Sequence, residues 1–122
     1  MIHLNITGKN YQLDDKIKKY VNRKIGQLDR ILPKNSRNGL KAEVVLAENS
    51  SQPNERYRCE VRIHLPQENA YVSEATVVSM HTAVDLAEGK LRNQFNKYKS
   101  KKMGARQQAR RIVRRLKRFG RR

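Results

Sequence analysis

The chain has 122 residues and a formal net charge of +17, from 28 Lys and Arg against 11 Asp and Glu, with 37% apolar residues and a single cysteine. That length suits one compact domain and leaves little room for two, and one cysteine excludes an intramolecular disulfide. No apolar run approaches the roughly 20 residues that cross a bilayer, and MIHLNITGKN alternates instead of forming a signal core, so the chain reads as soluble and cytoplasmic.

The elements follow in chain order. In residues 2 to 7, Ile2, Leu4 and Ile6 alternate with His3, Asn5 and Thr7, which predicts a strand closing at Gly8. Residues 14 to 32 carry a helical period, with Ile17, Val21, Ile25, Leu28 and Leu32 three or four apart, Asp14 and Asp15 at the positive end, and Pro33 as the stop. Residues 41 to 47 alternate through Ala42, Val44 and Leu46, and ENSSQPNE makes a loop. Residues 56 to 65 form a one-side-buried strand: Tyr57, Cys59, Val61, Ile63 and Leu65 share one face, and Arg56, Arg58, Glu60, Arg62 and His64 the other. After a connection marked by Pro66 and Asn69, residues 70 to 77 read as a weaker strand with Tyr71, Ser73 and Ala75 inward. A second helix starts near Ser79 as N-cap and runs to about residue 102, with Met80, Val84, Ala87, Leu91, Phe95 and Tyr98 on one stripe. The order β-α-β-β-β-α, with two apolar helix stripes needing a sheet face, predicts an α+β two-layer sandwich over residues 1 to 102. Residues 103 to 122 form a basic C-terminal extension.

Charge is distributed unevenly along this frame. Residues 1 to 89 hold 13 of the 28 cations and all 11 carboxylates, whereas residues 90 to 122 hold the other 15 cations and no carboxylate. Such a segment suits polyphosphate chains or anionic lipid surfaces. At about 100° per residue, Lys16, Lys19, Arg23 and Arg30 fall in one arc opposite the first apolar stripe. In the second helix Lys90, Lys97 and Lys101 lie along one flank of the core stripe, and Arg92 and Lys99 lie along the other with His81. Ridges so nearly pure in sign favour phosphate contact over mere solubility. With Lys102, Arg106, Arg110, Arg111, Arg114 and Arg115 of the C-terminal segment they are the candidate RNA-binding residues.

Enzymatic chemistry is poorly supported. His3, His64 and His81 lie in different elements, Cys59 faces the expected core, and no H-E-x-x-H, paired C-x-x-C or phosphate-binding glycine loop is present. The expectation is a binding protein with no cofactor, no metal and no small-molecule substrate. Tyr11, Tyr57 and Tyr71 have rings that could stack on bases, but in or near strands they read as packing residues.

Four segments, LNITGKN, YVNRKIGQLDRI, SMHTAVDLAEGKL and KLRNQFNKYKSK, resemble in order and spacing the ribosome hibernation-promoting factors, also called ribosome-associated translation inhibitors. The resemblance covers about residues 1 to 102. It implies a fold like a double-stranded-RNA-binding domain, and as partner the small ribosomal subunit with its rRNA. There such proteins occupy the mRNA channel across the tRNA positions and keep idle ribosomes silent. By position, Lys24, Lys90, Lys97, Lys99 and Lys101 match places where the family usually has cations, and Met80 and Asp85 match its D-M-Y-x-A-I-D stretch. The chain departs from the pattern at His81, at Asn93 where K-L-x-R-Q-L has Arg, and at Arg92, one position early and so rotated about 100°.

The last segment, MGARQQARRIVRRLKRFGRR, has no counterpart in that resemblance and does not look like the dimerisation domain of longer members, so no self-dimerisation is expected. Ala105, Ala109, Ile112, Leu116 and Phe119 make one helical stripe among nine Lys and Arg. It can be read as an arginine-rich segment that folds on rRNA, a basic amphipathic helix for a membrane surface, or a flexible anchor. The first reading is preferred and no membrane partner is expected, because the stripe is small and lacks tryptophan. The alternative for the whole chain is a general RNA-binding protein or RNA chaperone without a ribosomal site.

Overall fold

A computed structural model describes the backbone of residues 1–120 and the side chains of residues 1–101. Its regular elements are strand β1 (His3–Lys9), helix α1 (Asp15–Ile25), strands β2 (Lys41–Glu48), β3 (Tyr57–Leu65) and β4 (Glu68–Thr76), and helix α2 (Met80–Gly120). Short 3₁₀ turns occupy Leu28–Ile31, Lys34–Ser36 and Pro53–Glu55. The strands form one sheet in the order β1-β2-β3-β4, parallel between β1 and β2 and antiparallel elsewhere. A parallel neighbour requires a crossover, and α1 supplies it. Both helices lie on the same sheet face, which makes the mixed α+β two-layer arrangement that the pattern predicts.

The core is built from the stripes read in the sequence. Ile17, Val21, Ile25, Leu28 and Leu32 are buried, as are Ala42, Val44 and Leu46 of β2, Cys59, Val61, Ile63 and Leu65 of β3, and Met80, Val84, Ala87, Leu91, Phe95 and Tyr98 of α2. The helix starts are fixed by side-chain caps. Asp14 Oδ1 accepts the Ile17 N–H at 2.8 Å, and Ser79 Oγ accepts the Thr82 N–H at 3.1 Å, each satisfying an orphan donor of the first turn.

Three boundaries differ from the sequence reading. The first helix ends at Ile25, seven residues short of Leu32. Gly26 is buried, its carbonyl accepts the Ile2 N–H at 2.9 Å, and a Cβ there would sit 2.4 Å from the Asn22 carbonyl oxygen and 3.1 Å from Met1 Cε. Entry of β1 therefore occupies the space a continuing helix would need, and Leu28 and Leu32 reach the core from the 3₁₀ turn and the residue after it. In β4 the facing is reversed. The register pairs Val61 with Val72, Ile63 with Ala70 and Arg62 with Tyr71. Directly opposed residues share a face, so Ala70 and Val72 are buried while Tyr71 is 46% exposed. The strand also starts early, at Glu68, because Pro66 and Gln67 alone make the turn, with Gln67 at φ +73°. Finally, α2 continues to Gly120, past the expected end near residue 102.

Cys59 packs in the centre of the sheet with no exposure, and burial, helped by the nearby Glu60 carboxylate, pushes its thiol from the ordinary 9.0 to about 12. Because the folded state holds this proton more tightly, its contribution to stability is full below pH 9 and is lost as pH rises from 9 toward 12. Alkylation by iodoacetamide at about pH 8.5, near the ordinary thiol range, should therefore follow global unfolding, with a rate that rises along the urea transition and is negligible for the native protein.

Candidate nucleic-acid interface

The two helices present their cations from neighbouring positions on one layer. On α1, Lys16, Lys19 and Arg23 are exposed and project from the side opposite Ile17, Val21 and Ile25. Arg30 is exposed too, but it stands on the 3₁₀ turn Leu28–Ile31, so it does not continue the arc that an unbroken helix would have made. On α2, Lys90, Arg92, Lys97, Lys99 and Lys101 are all exposed. Lys102, Arg106, Arg110, Arg111, Arg114 and Arg115 fall on the α2 backbone, and their side chains lie outside the described residues.

The seam between α1 and α2 is a polar clasp. The Tyr20 hydroxyl donates to Asp85 Oδ1, Lys24 Nζ stands 3.7 Å from the same carboxylate oxygen, and the His81 ring meets Tyr20 edge-on with centroids 4.7 Å apart. Arg23 and Lys24 lie over the Tyr20 ring at 5.3 and 5.8 Å. One tyrosine thus fixes the last-turn cations of α1 against α2. Lys24 and Asp85, two positions that match the family pattern, are brought together here. Tyr20 carries no signal in the sequence, because it stands outside the apolar stripe; only its partner on a helix 65 positions away reveals it.

The ridges are less pure than their sequence suggests. Lys90 reaches Glu74 at 4.0 Å and Lys101 reaches Glu68 at 3.8 Å, both on β4, and Arg92 pairs with Glu88 one turn earlier. The cation of each pair is exposed, although Glu88 is largely covered and Glu74 half-covered, so each pair contributes modestly to stability and mainly orients its cation. Lys16, Lys19, Arg23, Lys97 and Lys99 have no ion-pair partner among the described residues. The opposite face of the sheet carries mixed charge, with Arg58 bonded to Ser73 and Glu55 and Arg62 stacked on Tyr71. The Tyr71 ring stands out on that face and is not a packing residue.

The hydrogen bond to Asp85 and then burial raise the Tyr20 pKa above the ordinary 10.0, so the clasp is closed at neutral pH and its contribution is lost only as pH climbs past that value. Asp85→Ala should bring the Tyr20 titration, followed by NMR of the ring carbon bearing the hydroxyl, back toward 10.0. The same variant should lose about 1 kcal/mol of stability in urea unfolding.

Comparison with known proteins agrees with this architecture. The sequence pattern of the family described as Sigma 54 modulation protein / S30EA ribosomal protein matches residues 4–103. A ribosome hibernation promotion factor of Lactococcus lactis subsp. cremoris is 34% identical over 102 residues, which are 83% of this chain and 51% of that protein, so the chain spans about half the length of this curated relative. The crystal structure of the Protein Y N-terminal domain of Thermus thermophilus superposes with a TM-score of 0.64 at 28% identity, covering 80% of this chain and 97% of the other. A ribosomal subunit interface protein of Coxiella burnetii shares the fold with a TM-score of 0.65 at 22% identity, over 81% and 99% of the two chains. The chain belongs to the Sigma 54 modulation protein / S30EA ribosomal protein family, the family of ribosome hibernation factors that its four sequence segments resemble.

Proposed function

We propose that this chain is a ribosome hibernation factor that occupies the mRNA and tRNA decoding channel of the small ribosomal subunit and blocks translation in idle ribosomes. The observation that carries the reading is the helix layer. Lys16, Lys19 and Arg23 on α1 and Lys90, Arg92, Lys97, Lys99 and Lys101 on α2 are exposed on two elements clasped together at Tyr20, Lys24 and Asp85. Structured RNA is recognised mostly through phosphates and 2′-hydroxyls at fixed spacing, and rigidly mounted cations supply that spacing. The family, and the name of the Lactococcus relative, support a ribosomal partner. The role is steric occupation in the cytoplasm, without catalysis, cofactor or membrane. Among the described residues no group of three or more His, Cys, Asp or Glu could hold a metal ion, and no helix is long and apolar enough to cross a membrane. Residues 103–122 act as a basic arm on rRNA beyond the domain of residues 1–102.

Co-sedimentation with purified small subunits tests this reading. Binding should survive an excess of unstructured RNA at moderate salt; if that RNA strips the protein off, a general RNA chaperone is the correct description. The double variant Lys19→Glu with Lys97→Glu takes one unpaired cation from each helix. It should keep its circular dichroism spectrum and weaken subunit binding by about tenfold or more. The slope of log affinity against log salt should become shallower by about one for each phosphate that the variant no longer neutralises. Unchanged affinity would remove the helix layer from the interface.

A further inference from the structure

A chemically reactive turn stands at the entry to β2. Asn38 is the only asparagine of the sequence that precedes glycine. Asn38 and Gly39 are both exposed and form a turn between the 3₁₀ turn Lys34–Ser36 and β2. Gly39 has φ +68°, a left-handed conformation that glycine adopts without steric cost, and no atom beyond its chain neighbours lies within 4 Å of the place a Cβ would take. Among the described residues neither the Asn38 carboxamide nor the Gly39 N–H has a hydrogen-bond partner. Both sides of the turn are anchored. Arg37 donates from Nε to the Leu32 carbonyl at 2.8 Å and from Nη2 to the Arg30 carbonyl at 2.9 Å, and Leu40 is buried with its carbonyl accepting the His3 N–H at 2.9 Å. The tip is therefore free while its two ends are held.

A backbone nitrogen that follows asparagine can attack the asparagine side-chain carbonyl when no side chain screens it and neither group is engaged elsewhere. Three other asparagines also precede a small residue, and the structure engages each of them. At Asn35 the following nitrogen is committed, since the Ser36 N–H donates to the Pro33 carbonyl at 2.9 Å and Ser36 is buried. At Asn49 the carboxamide is committed, with Oδ1 accepting from the Ser51 N–H at 3.1 Å and from Ser51 Oγ at 2.6 Å. Asn69, before Ala70, lies within β4 with its Oδ1 against His64 Nδ1 at 2.9 Å. Asn38 alone of the four combines an unengaged carboxamide, an unengaged following nitrogen and no side chain between them.

We infer that Asn38 is a modification site at which the folded protein deamidates itself, giving aspartate and isoaspartate. The Gly39 nitrogen bonds to the Asn38 side-chain carbonyl carbon and gives up its proton, and the side-chain nitrogen departs as ammonia, which leaves a five-membered succinimide. Water then opens the ring. Cleavage of the bond from the Gly39 nitrogen to the side-chain carbon gives aspartate, and cleavage of its bond to the main-chain carbonyl carbon gives isoaspartate; no electrons are exchanged and water is the only co-reactant. Either product adds a carboxylate and lowers the formal charge of +17 by one. Isoaspartate also carries the main chain through the side chain and lengthens it by one carbon between Arg37 and Leu40. The inference does not depend on the proposed RNA role. Under that role, a chain held on idle ribosomes accumulates the change with time, so the turn records the age of the molecule.

The test ages the full chain at body temperature and mildly alkaline pH, where attack by the amide nitrogen is favoured, with a second sample kept unfolded in guanidinium chloride. Peptide mapping by mass spectrometry follows each asparagine. Isoaspartate is counted by methyl transfer from labelled S-adenosylmethionine with an isoaspartyl methyltransferase. In the native sample Asn38 should be lost first, with a mass gain of one dalton and a parallel rise in methyl acceptance, while Asn35, Asn49 and Asn69 stay intact. In the unfolded sample Asn35 and Asn49 should begin to react as well, because their hydrogen bonds are gone. Gly39→Ala should slow the loss at Asn38 to the rate of the asparagines before serine, and Asn38→Gln should remove the methyl acceptance of the aged native chain. Asn38 that stays intact in the native sample while the unfolded sample loses it overturns the site. Earlier loss at Asn35, Asn49 or Asn69 in the native chain, or methyl acceptance that survives Asn38→Gln, overturns it as well.

Discussion

Everything in this molecule depends on two helices sharing one face of one sheet. A four-stranded sheet with a single covered face must bury the stripes of α1 and α2 side by side, and burial of apolar surface is the main favourable term in folding. Once Ile17, Val21 and Ile25 are committed inward with Val84, Leu91 and Phe95, the rest of each helix has no freedom. The flanks that face each other form the seam at Tyr20, His81 and Asp85, the outer flank of α2 meets the β4 edge, and the remaining cations point to solvent.

Electrostatics refines that arrangement without driving it. In residues 1 to 89 cations and carboxylates nearly cancel, and several of the carboxylates are placed to hold particular lysines: Asp85 for Lys24, Glu74 for Lys90, Glu68 for Lys101. Exposed pairs of this kind are worth little as stability. Their effect is to limit the rotamers of long side chains, so that under the proposed role fewer states would be lost on binding a phosphate. Lys16, Lys19, Arg23, Lys97 and Lys99, without an ion-pair partner among the described residues, are left to face solvent on the helix layer.

Two faces of the sheet layer tell the same story in reverse. Where β3 and β4 face away from the helices, positive and negative groups alternate and satisfy one another through Arg58, Glu55 and Ser73. The RNA contact proposed above is therefore assigned to the helix side. At β4, the register that buries Val72 obliges Tyr71 to stand in the open beside Arg62, and the Gln94 bond to the Tyr71 backbone closes part of an edge that would otherwise be free to pair with another strand.

Much was legible without coordinates, for a physical reason: period 2 and period 3.6 are local properties, and wherever one face was plainly more apolar the inward residues followed. That holds for β2, β3, α1 and α2, for the cap at Ser79, and for the exposed cations of both helices. It fails where the two faces of an element are similar or where a distant segment intrudes. In β4, Tyr71 and Ala75 on one side balance Ala70 and Val72 on the other, so only pairing with Val61 and Ile63 could choose the buried set. At Gly26 the helical pattern runs on, and only the arrival of Ile2 ends it, which removes Arg30 from the helical arc. Sequence by itself determined the class of fold, the basic character and the family resemblance, because these follow from composition, periodicity and motif order. Tertiary structure alone decided that Tyr20 clasps Asp85, that Tyr71 faces solvent, and which cations remain unpaired, because each of these depends on residues brought together from distant parts of the chain.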